Sequence, residues 1–251
     1  MREGDFVWYE LLTSDVEAAQ AFYADVVGWT IADSGMTGMR YLLAQVGARS
    51  VAGMMTFPPD CPSGPPAWLC HIGTADVDGT VARVVAAGGT VQRPAADIPG
   101  VGRFAVVADP QGAAFMLFRG DGPPPPDLAR GASGNVGWHE LRTSNAEQAL
   151  SFYGGLFGWT PAAANDMGPM GVYRTFDVGE VWSGGMMDMP NVPPHWGFYF
   201  NVDDVDTAAA RIVARGGQVL HGPIDVPGGS RVVMAMDPQG GGFGLTSRRD
   251  S

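Results

Sequence analysis

Short runs with alternating polar and apolar residues are separated by segments whose apolar residues recur at helical spacing. The run FVWYELLT (6–13) alternates as a half-buried strand does. The next segment, SDVEAAQAFYADVVGW, brings Phe22 and Val26 close to one helical face, and Ser14 or Asp15 can cap it. The runs RYLLAQVG and SVAGMMTF then predict strands interrupted by glycine. The pattern favours a helix packed on strands.

The following stretch repeats this order. AWLCHIGTA predicts a strand, and DVDGTVARVVAAGG predicts a helix that ends at two glycines. TVQRP, GRFAVVADP and AAFMLFR predict three further strands. We therefore expect an α+β fold built from β-α-β-β-β modules.

The whole pattern then occurs a second time. Trp8 corresponds to Trp138, and the turn DPQG at 109–112 corresponds to the same four residues at 237–240. So many matches in the same order indicate a tandem duplication. The Pro/Gly-rich segment between the copies reads as an extended linker. The predicted organisation is therefore four modules in two domains, at 1–120 and 135–249, joined by a linker at 121–134.

Composition limits the class of function. The 251 residues include 45% hydrophobic residues, enough for a packed core, and carry a net charge of −11. The negative charge argues against nucleic acid or an anionic membrane surface as partner. No apolar leader and no membrane-length apolar run is visible, so we expect a cytoplasmic location. Cys61 and Cys70 form no disulfide framework and are expected to be unpaired.

The paired modules, with FY and GW around the end of the first helix and DPQG before the last strand, resemble the vicinal oxygen chelate superfamily. That superfamily includes glyoxalase I, extradiol dioxygenases, fosfomycin-resistance enzymes and bleomycin-binding proteins. The resemblance implies that each copy forms a curved, mixed β-sheet cup with its helices outside.

The resemblance also implies a divalent metal in the cups of the catalytic members, held by His, Gln or Glu side chains. The family's spacing places these ligand positions at Trp8, Leu69, Met116, Trp138, Gly197 and Gly244. Trp, Leu and Gly side chains do not coordinate such a metal, and a Met thioether suits only soft ions. A shift of two residues would bring in Glu10, His71, Glu140 and Tyr199, which is too few donors in either copy. We therefore expect no metal and no other cofactor.

Two glutamates are the candidate catalytic groups. Glu10 and Glu140 share a strand face with Trp8 and Trp138 and should point into the cups. Each could act as a general base or as a ligand anchor. Alternatively, each could serve the fold by pairing with an arginine, for which Arg103 and Arg231 recur at equivalent places. His139 should point away from the cup, whereas His71 could reach it.

Other cup positions are candidate ligand contacts. Gly197 and Gly244 remove side chains from the second cup, which should leave more room there than in the first. Stacking surfaces could come from Trp138, Tyr199 and Trp196, and Met186 could provide an adaptable apolar contact. The full set of predicted ligand-binding residues is Trp138, Tyr199, Gly197, Gly244, Met186, Trp8, His71 and Met116.

These observations favour a metal-free protein that binds a small, mainly apolar or aromatic molecule, of the antibiotic- or metabolite-binding type. A second possibility is a metal-independent lyase, isomerase or oxygenase with Glu140 or Glu10 as base. A third is a protein-interaction module, because some similar tandem proteins are described as kinase-inhibitor homologues. The sequence is compatible with a monomer or a homodimer.

Overall fold

A computed structural model describes residues 2–59, 64–123, 128–129 and 131–248. Cys61 lies outside these residues, while Cys70 is buried as a free thiol. The first repeat consists, in chain order, of β1 (Phe6–Thr13), α1 (Val16–Val26), β2 (Thr30–Asp33), β3 (Tyr41–Val46), β4 (Arg49–Thr56), β5 (Ala67–Gly73), α2 (Val77–Ala86), β6 (Thr90–Ile98), β7 (Gly102–Ala108) and β8 (Ala114–Gly120).

The second repeat has the same order of elements and one added 3₁₀ turn, η1 (Gly168–Met170). Its elements are β9 (Val136–Thr143), α3 (Ala146–Phe157), β10 (Thr160–Asp166), β11 (Val172–Val178), β12 (Val181–Asp188), β13 (His195–Asn201), α4 (Val205–Ala214), β14 (Gln218–Val226), β15 (Ser230–Met236) and β16 (Gly242–Arg248).

Each repeat contributes one eight-stranded mixed sheet. The strand orders are β2-β3-β4-β1-β5-β8-β7-β6 and β10-β11-β12-β9-β13-β16-β15-β14. β1 and β4 run parallel, as do β5 and β8, and the outer strands pair antiparallel. The predicted α+β fold of four β-α-β-β-β modules is confirmed. The sequence pattern had not indicated β2, a strand of four largely exposed residues at a sheet edge.

The four helices of the described chain begin in the same way. An Asp or Asn immediately before each helix accepts a hydrogen bond from the backbone N–H three residues later, at 2.6–3.0 Å. These caps satisfy one of the unpaired donors of the first turn and fix where each helix starts. The capping residues are Asp15, Asp76, Asn145 and Asp204. None of these helices has the length and apolar character needed to cross a membrane.

The chain divides into two compact units that do not follow the sequence repeats. One unit comprises the described residues within Met1–Trp8, Leu69–Pro125 and Trp138–Trp196. The other comprises those within Tyr9–Trp68, Pro126–Gly137 and Gly197–Ser251. Each unit therefore combines most of one module from each repeat. The domain bounds drawn from the sequence stay a prediction.

A buried hydrogen-bonded triad holds together the unit that contains α1. The Tyr23 hydroxyl donates to Asp237 Oδ2 at 2.9 Å, and the Trp68 indole N–H donates to the Tyr23 oxygen at 2.9 Å. The other carboxylate oxygen of Asp237 accepts backbone N–H groups of Gln239 and Gly241. The DPQG turn thus anchors a tyrosine that lies in the other repeat.

The other unit contains the same triad. Tyr153 donates to Asp109 Oδ2 at 3.2 Å, and Trp196 donates to the Tyr153 oxygen at 3.0 Å. Burial raises the pKa of Asp109 and of Asp237, and it is also the main cause that raises the pKa of both tyrosines. Trp196 is therefore committed to this network, which corrects the expectation that it offers a stacking surface in the cup.

Candidate functional site

Strand β9 presents three half-buried side chains on one face, which we call the cup face. These are Trp138, Glu140 and Arg142, whereas His139 and Leu141 lie buried on the opposite face. His139 stacks on Phe6, with ring centroids 3.8 Å apart, and its Nδ1 lies 2.7 Å from the Ser183 carbonyl oxygen. The predicted orientation of His139 away from the cup is confirmed.

Tyr173 joins the tryptophan and the glutamate of β9. Its hydroxyl donates to Glu140 Oε2 at 3.1 Å and accepts the Trp138 indole N–H at 2.8 Å. Each group can make these bonds simultaneously, because a phenol both donates and accepts. Indole, phenol and carboxylate therefore form one connected chain.

Arg142 extends this chain from the other carboxylate oxygen. Its guanidinium donates to Glu140 Oε1 at 2.7 Å and lies 3.4 Å from His195 Nε2. His195 Nδ1 lies 2.8 Å from the Pro193 carbonyl oxygen, which can only accept, so Nδ1 carries the proton. Burial, with Arg142 as a further cause, lowers the pKa of His195. We call Trp138, Glu140, Arg142, Tyr173 and His195 the Glu140 cluster.

A glycine on the neighbouring strand sets the position of Tyr173. Gly185 on β12 pairs in register with Glu140, and the Tyr173 ring packs directly over it. A Cβ atom at position 185 would overlap that ring. The glycine thus lets the phenol reach the carboxylate.

The first repeat holds the corresponding glutamate in a related way. Glu10 is buried, pairs in register with Gly53, and accepts a hydrogen bond from Tyr41 at 2.9 Å. Leu12 and Ala67 occupy the positions that correspond to Arg142 and His195. The tyrosine and glutamate recur, but the arginine and histidine do not.

The expectation that Arg103 and Arg231 pair with the two glutamates is wrong. Arg103 forms hydrogen-bonded ion pairs with Asp78 and Asp97 at 2.7–2.9 Å. Arg231 pairs with Asp206 and Asp225 at 2.7–3.0 Å. Each arginine bridges the first turn of a helix to a strand in its own module, so its recurrence serves the fold.

His71 lies on β5 beside Met116 of β8, with which it pairs in register. Both side chains are buried, and the His71 ring centroid is 5.7 Å from that of Phe118. Leu69 lies one step back along the same strand face and is half-buried. Strands β5 and β8 thus bring together His71, Met116 and Leu69.

Tyr199 and Gly244 form the corresponding pair of the second repeat. They also pair in register, and the Tyr199 ring packs over Gly244, where a Cβ atom would overlap it. Tyr199 therefore fills the room that the sequence led us to expect above Gly244. Gly197 and Trp8 are half-buried at the expected alternating positions on β13 and β1.

Met186 lies elsewhere than expected. It pairs in register with Leu141, on the face opposite Glu140, and is fully buried. Residues paired across neighbouring strands share a face of the sheet. Met187, which pairs with Arg142, holds the cup-face position instead.

A groove outside this set lies between α3 and β10. Its volume is about 610 Å³, and its lining includes Leu150, Gly154, Trp159 and Arg174. It contains none of the residues predicted from the sequence to bind a ligand. The groove is therefore separate from the Glu140 cluster.

The side chains present do not suit the metal that the fold family implies. Within the described part of the chain, no three His, Cys, Asp or Glu residues lie close enough together to hold a metal ion. In addition, both oxygens of Glu140 are engaged by protein donors. The expected donor set of imidazoles and carboxylates is thus not assembled here.

The chain belongs to the Glyoxalase/Bleomycin resistance protein/Dioxygenase superfamily, whose family model matches residues 5–117 and again 135–243. Two relatives illustrate this membership. A putative glyoxylase, CFP32, of Mycobacterium tuberculosis is 37% identical over 97% of this chain and 95% of its own. The anthracycline biosynthesis protein DnrV of Streptomyces peucetius is 34% identical over 97% of this chain and 93% of its own.

Solved structures share the fold at low identity. An Mn(II)-bound glyoxalase from Novosphingobium aromaticivorans has a TM-score of 0.68 at 20% identity, covering 99% of this chain and 83% of that one. The 2,3-dioxygenase LapB of Pseudomonas sp. KL28 has a TM-score of 0.68 at 15% identity, and the match covers 98% of this chain and 93% of that one. At these identities the likeness concerns the fold alone.

Four members of these polar groups were missed in the sequence. The sequence pattern does not identify Tyr41, Tyr173, Arg142 or His195 as site residues. Tyr41 and Tyr173 correspond to each other in the same alignment that matches AGMM (52–55) with GGMM (184–187). That shared tyrosine was the available signal. Arg142 and His195 have no counterpart in the first repeat and left no comparable signal.

Proposed function

We propose that the chain binds a small, mainly aromatic molecule without the help of a metal, and that the Glu140 cluster is the polar anchor for it. The observation that carries this proposal is the hydrogen-bonded chain from Trp138 through Tyr173 and Glu140 to Arg142. Binding sites typically combine apolar and aromatic walls with a few fixed polar groups. An indole linked to an oriented ion pair meets that description.

The burial of the ion pair supports a role beyond stability. The side chains of Glu140 and Arg142 are only 14% and 16% exposed. Taking two charges out of water costs free energy that their attraction offsets only in part, so such a pair is weak evidence for stabilisation. The pair is neutral as a whole, which favours a ligand without net charge that carries hydrogen-bonding groups on an aromatic frame.

The positions of the bonds favour anchoring over proton abstraction. Glu140 Oε1 accepts a bond from Arg142 at 2.7 Å, and Oε2 accepts one from Tyr173 at 3.1 Å. These two donors hold the carboxylate in one orientation, as a polar anchor requires, while each carboxylate oxygen has a second lone pair with which it can accept a ligand donor. The alternative of a glutamate base in a metal-independent lyase, isomerase or oxygenase stays a prediction.

The names of two relatives agree with an aromatic ligand. DnrV and its counterpart DauV from Streptomyces sp. strain C5 are described as anthracycline biosynthesis proteins. Anthracyclines contain a planar anthraquinone system, which suits stacking against indole and phenol rings. A hydroxylated anthraquinone is therefore the first probe to use.

The test is a titration of the protein with 1,4-dihydroxyanthraquinone, followed by tryptophan fluorescence in the presence of a metal chelator. We expect quenching that saturates, and a loss of affinity of roughly tenfold or more in Glu140→Gln, because the ion pair that orients the cluster is removed. Glu147→Gln is the matched control, since Glu147 is an exposed acid on α3.

Three results would count against the proposal. One is equal affinity in Glu140→Gln and the unaltered protein. Another is binding that the chelator abolishes and added Mn²⁺ restores. Turnover of the probe by metal-free protein that disappears in Glu140→Gln would instead favour the enzyme.

A further inference from the structure

His71 is a buried titratable residue that the Glu140 cluster does not use. Its side chain is only 6% exposed, and no hydrogen-bonding atom of the described residues reaches either ring nitrogen. Buried polar atoms in folded proteins almost always have a partner. An imidazole with both nitrogens unpaired therefore requires an explanation.

The protonation state of His71 defines which partner it can take. Burial lowers the pKa of His71 to about 3, so the ring is neutral at physiological pH. A neutral imidazole offers one N–H donor and one acceptor nitrogen. A hydroxyl group, which donates and accepts, is complementary to either nitrogen.

The residues next to His71 on strands β5 and β8 are apolar. Met116 pairs with it in register, Phe118 lies at a ring distance of 5.7 Å, and Leu69 shares its strand face. These side chains offer a thioether and an aromatic ring to a flat apolar molecule. None of them can satisfy a ring nitrogen with a conventional hydrogen bond.

We propose that His71 is a ligand-binding residue in the first repeat and takes the hydroxyl group of an aromatic molecule whose ring lies against Met116 and Phe118. This inference rests on the proposed function, because it assigns a chemical group of the ligand to one residue. It also explains why an imidazole is present among apolar neighbours.

The first test is a measurement of thermal stability, which needs no ligand. His71→Leu should raise the melting temperature, because a buried polar group without a partner destabilises the folded state. His139→Leu is the matched control and should lower it, since His139 is equally buried but is stacked on Phe6 and bonded to Ser183. A lower melting temperature in His71→Leu would overturn the proposal, because His71 would then be structural.

The second test compares 2-hydroxyanthraquinone with 9,10-anthraquinone, which differ by one hydroxyl. The unaltered protein should bind the hydroxylated probe roughly tenfold more tightly, as expected for one added hydrogen bond, and His71→Leu should lose that preference. His139→Leu should keep it.

The outcomes separate this inference from the proposed function. Equal affinity of the unaltered protein for both probes, or a preference that persists in His71→Leu, would overturn the role of His71 and leave the proposed function standing. Binding of neither probe would overturn both.

Discussion

The two repeats differ most on the strand faces that carry the glutamates. In the second repeat Glu140 is joined to Arg142 and Tyr173, and Arg142 approaches His195. In the first repeat Glu10 also accepts a bond from a tyrosine, but Leu12 and Ala67 stand where the arginine and histidine would be.

A second difference concerns β5 and β13. In the first repeat, His71 pairs in register with Met116, and its ring nitrogens have no hydrogen-bond partner among the described residues. In the second repeat, Tyr199 pairs in register with Gly244. The second repeat therefore has the larger ring of Tyr199 beside a glycine, where the first repeat has the smaller ring of His71 beside the long Met116 side chain. The comparison indicates that the tyrosine–glutamate bond belongs to the common fold. His71, Arg142 and His195 each occur in one repeat without a counterpart in the other, and these are the residues whose replacement tests the proposed ligand contacts.

The largest effect should come from placing the methionine of the first repeat into the second. Gly244→Met should lower the free energy of unfolding by about 3 kcal/mol, because its Cβ would overlap the Tyr199 ring. Adding Tyr199→His recreates the pair of the first repeat and should recover at least half of the loss. Urea unfolding measures both variants. A double variant no more stable than Gly244→Met would show that the two pairs are not equivalent.

The next effect should come from removing the arginine. Arg142→Leu gives β9 the residue that β1 has, and should cost about 2 kcal/mol, because a largely buried carboxylate loses its cation. Arg174→Leu is the control and should cost under about 0.5 kcal/mol, because its partner Glu147 is 81% exposed. Chemical denaturation of both variants checks this, and equal costs would contradict it.

A smaller loss is expected when either tyrosine loses its hydroxyl. Tyr173→Phe and Tyr41→Phe should each cost about 1 kcal/mol, because each removes a hydrogen bond to a carboxylate. Tyr173→Phe also removes the acceptor of the Trp138 indole N–H, so the tryptophan emission of this variant should shift. Unchanged emission in Tyr173→Phe would argue against the chain through Trp138.

The smallest effect should come from His195→Ala, which gives β13 the residue of the first repeat. The pKa of folded His195 lies below its usual value, so the unfolded chain takes up the proton first as the pH falls. The contribution of neutral His195 is present above about pH 6.5 and is lost as the pH drops below it. Between pH 7.5 and pH 5.5, the free energy of unfolding should fall less in His195→Ala than in the unaltered protein. An equal fall in both proteins would contradict the role of His195 in this pH dependence.

The fold could be predicted from the sequence because its signals are local and occur twice. Strand alternation, helix caps and the DPQG turns each lie within a few residues of sequence. Each signal also recurs at the equivalent position of the other repeat, which supports its interpretation. Alternation also placed Trp138 and Glu140 on one face and His139 on the other.

The partners of the site residues could not be predicted in the same way. The Tyr173–Glu140 bond depends on the register of β11 against β12 and of β12 against β9, which no local pattern fixes. Met186 was assigned to the wrong face for the same reason. Recurrence alone does not identify the partner of Arg103, because the glutamates recur in both repeats and so do Asp78 and Asp97, as Asp206 and Asp225.

The bond between Tyr23 and Asp237 also has a consequence for synthesis on the ribosome. The two residues are 214 positions apart, and yet the tyrosine is fully buried once the bond has formed. At roughly 5–20 residues per second, Asp237 is added to the chain about 10 seconds or more after Tyr23. During that interval Tyr23 lacks the partner that it has in the complete chain, so we expect a nascent first repeat to expose apolar surface that the folded protein buries. The repeats are encoded one after the other, but they complete their cores together.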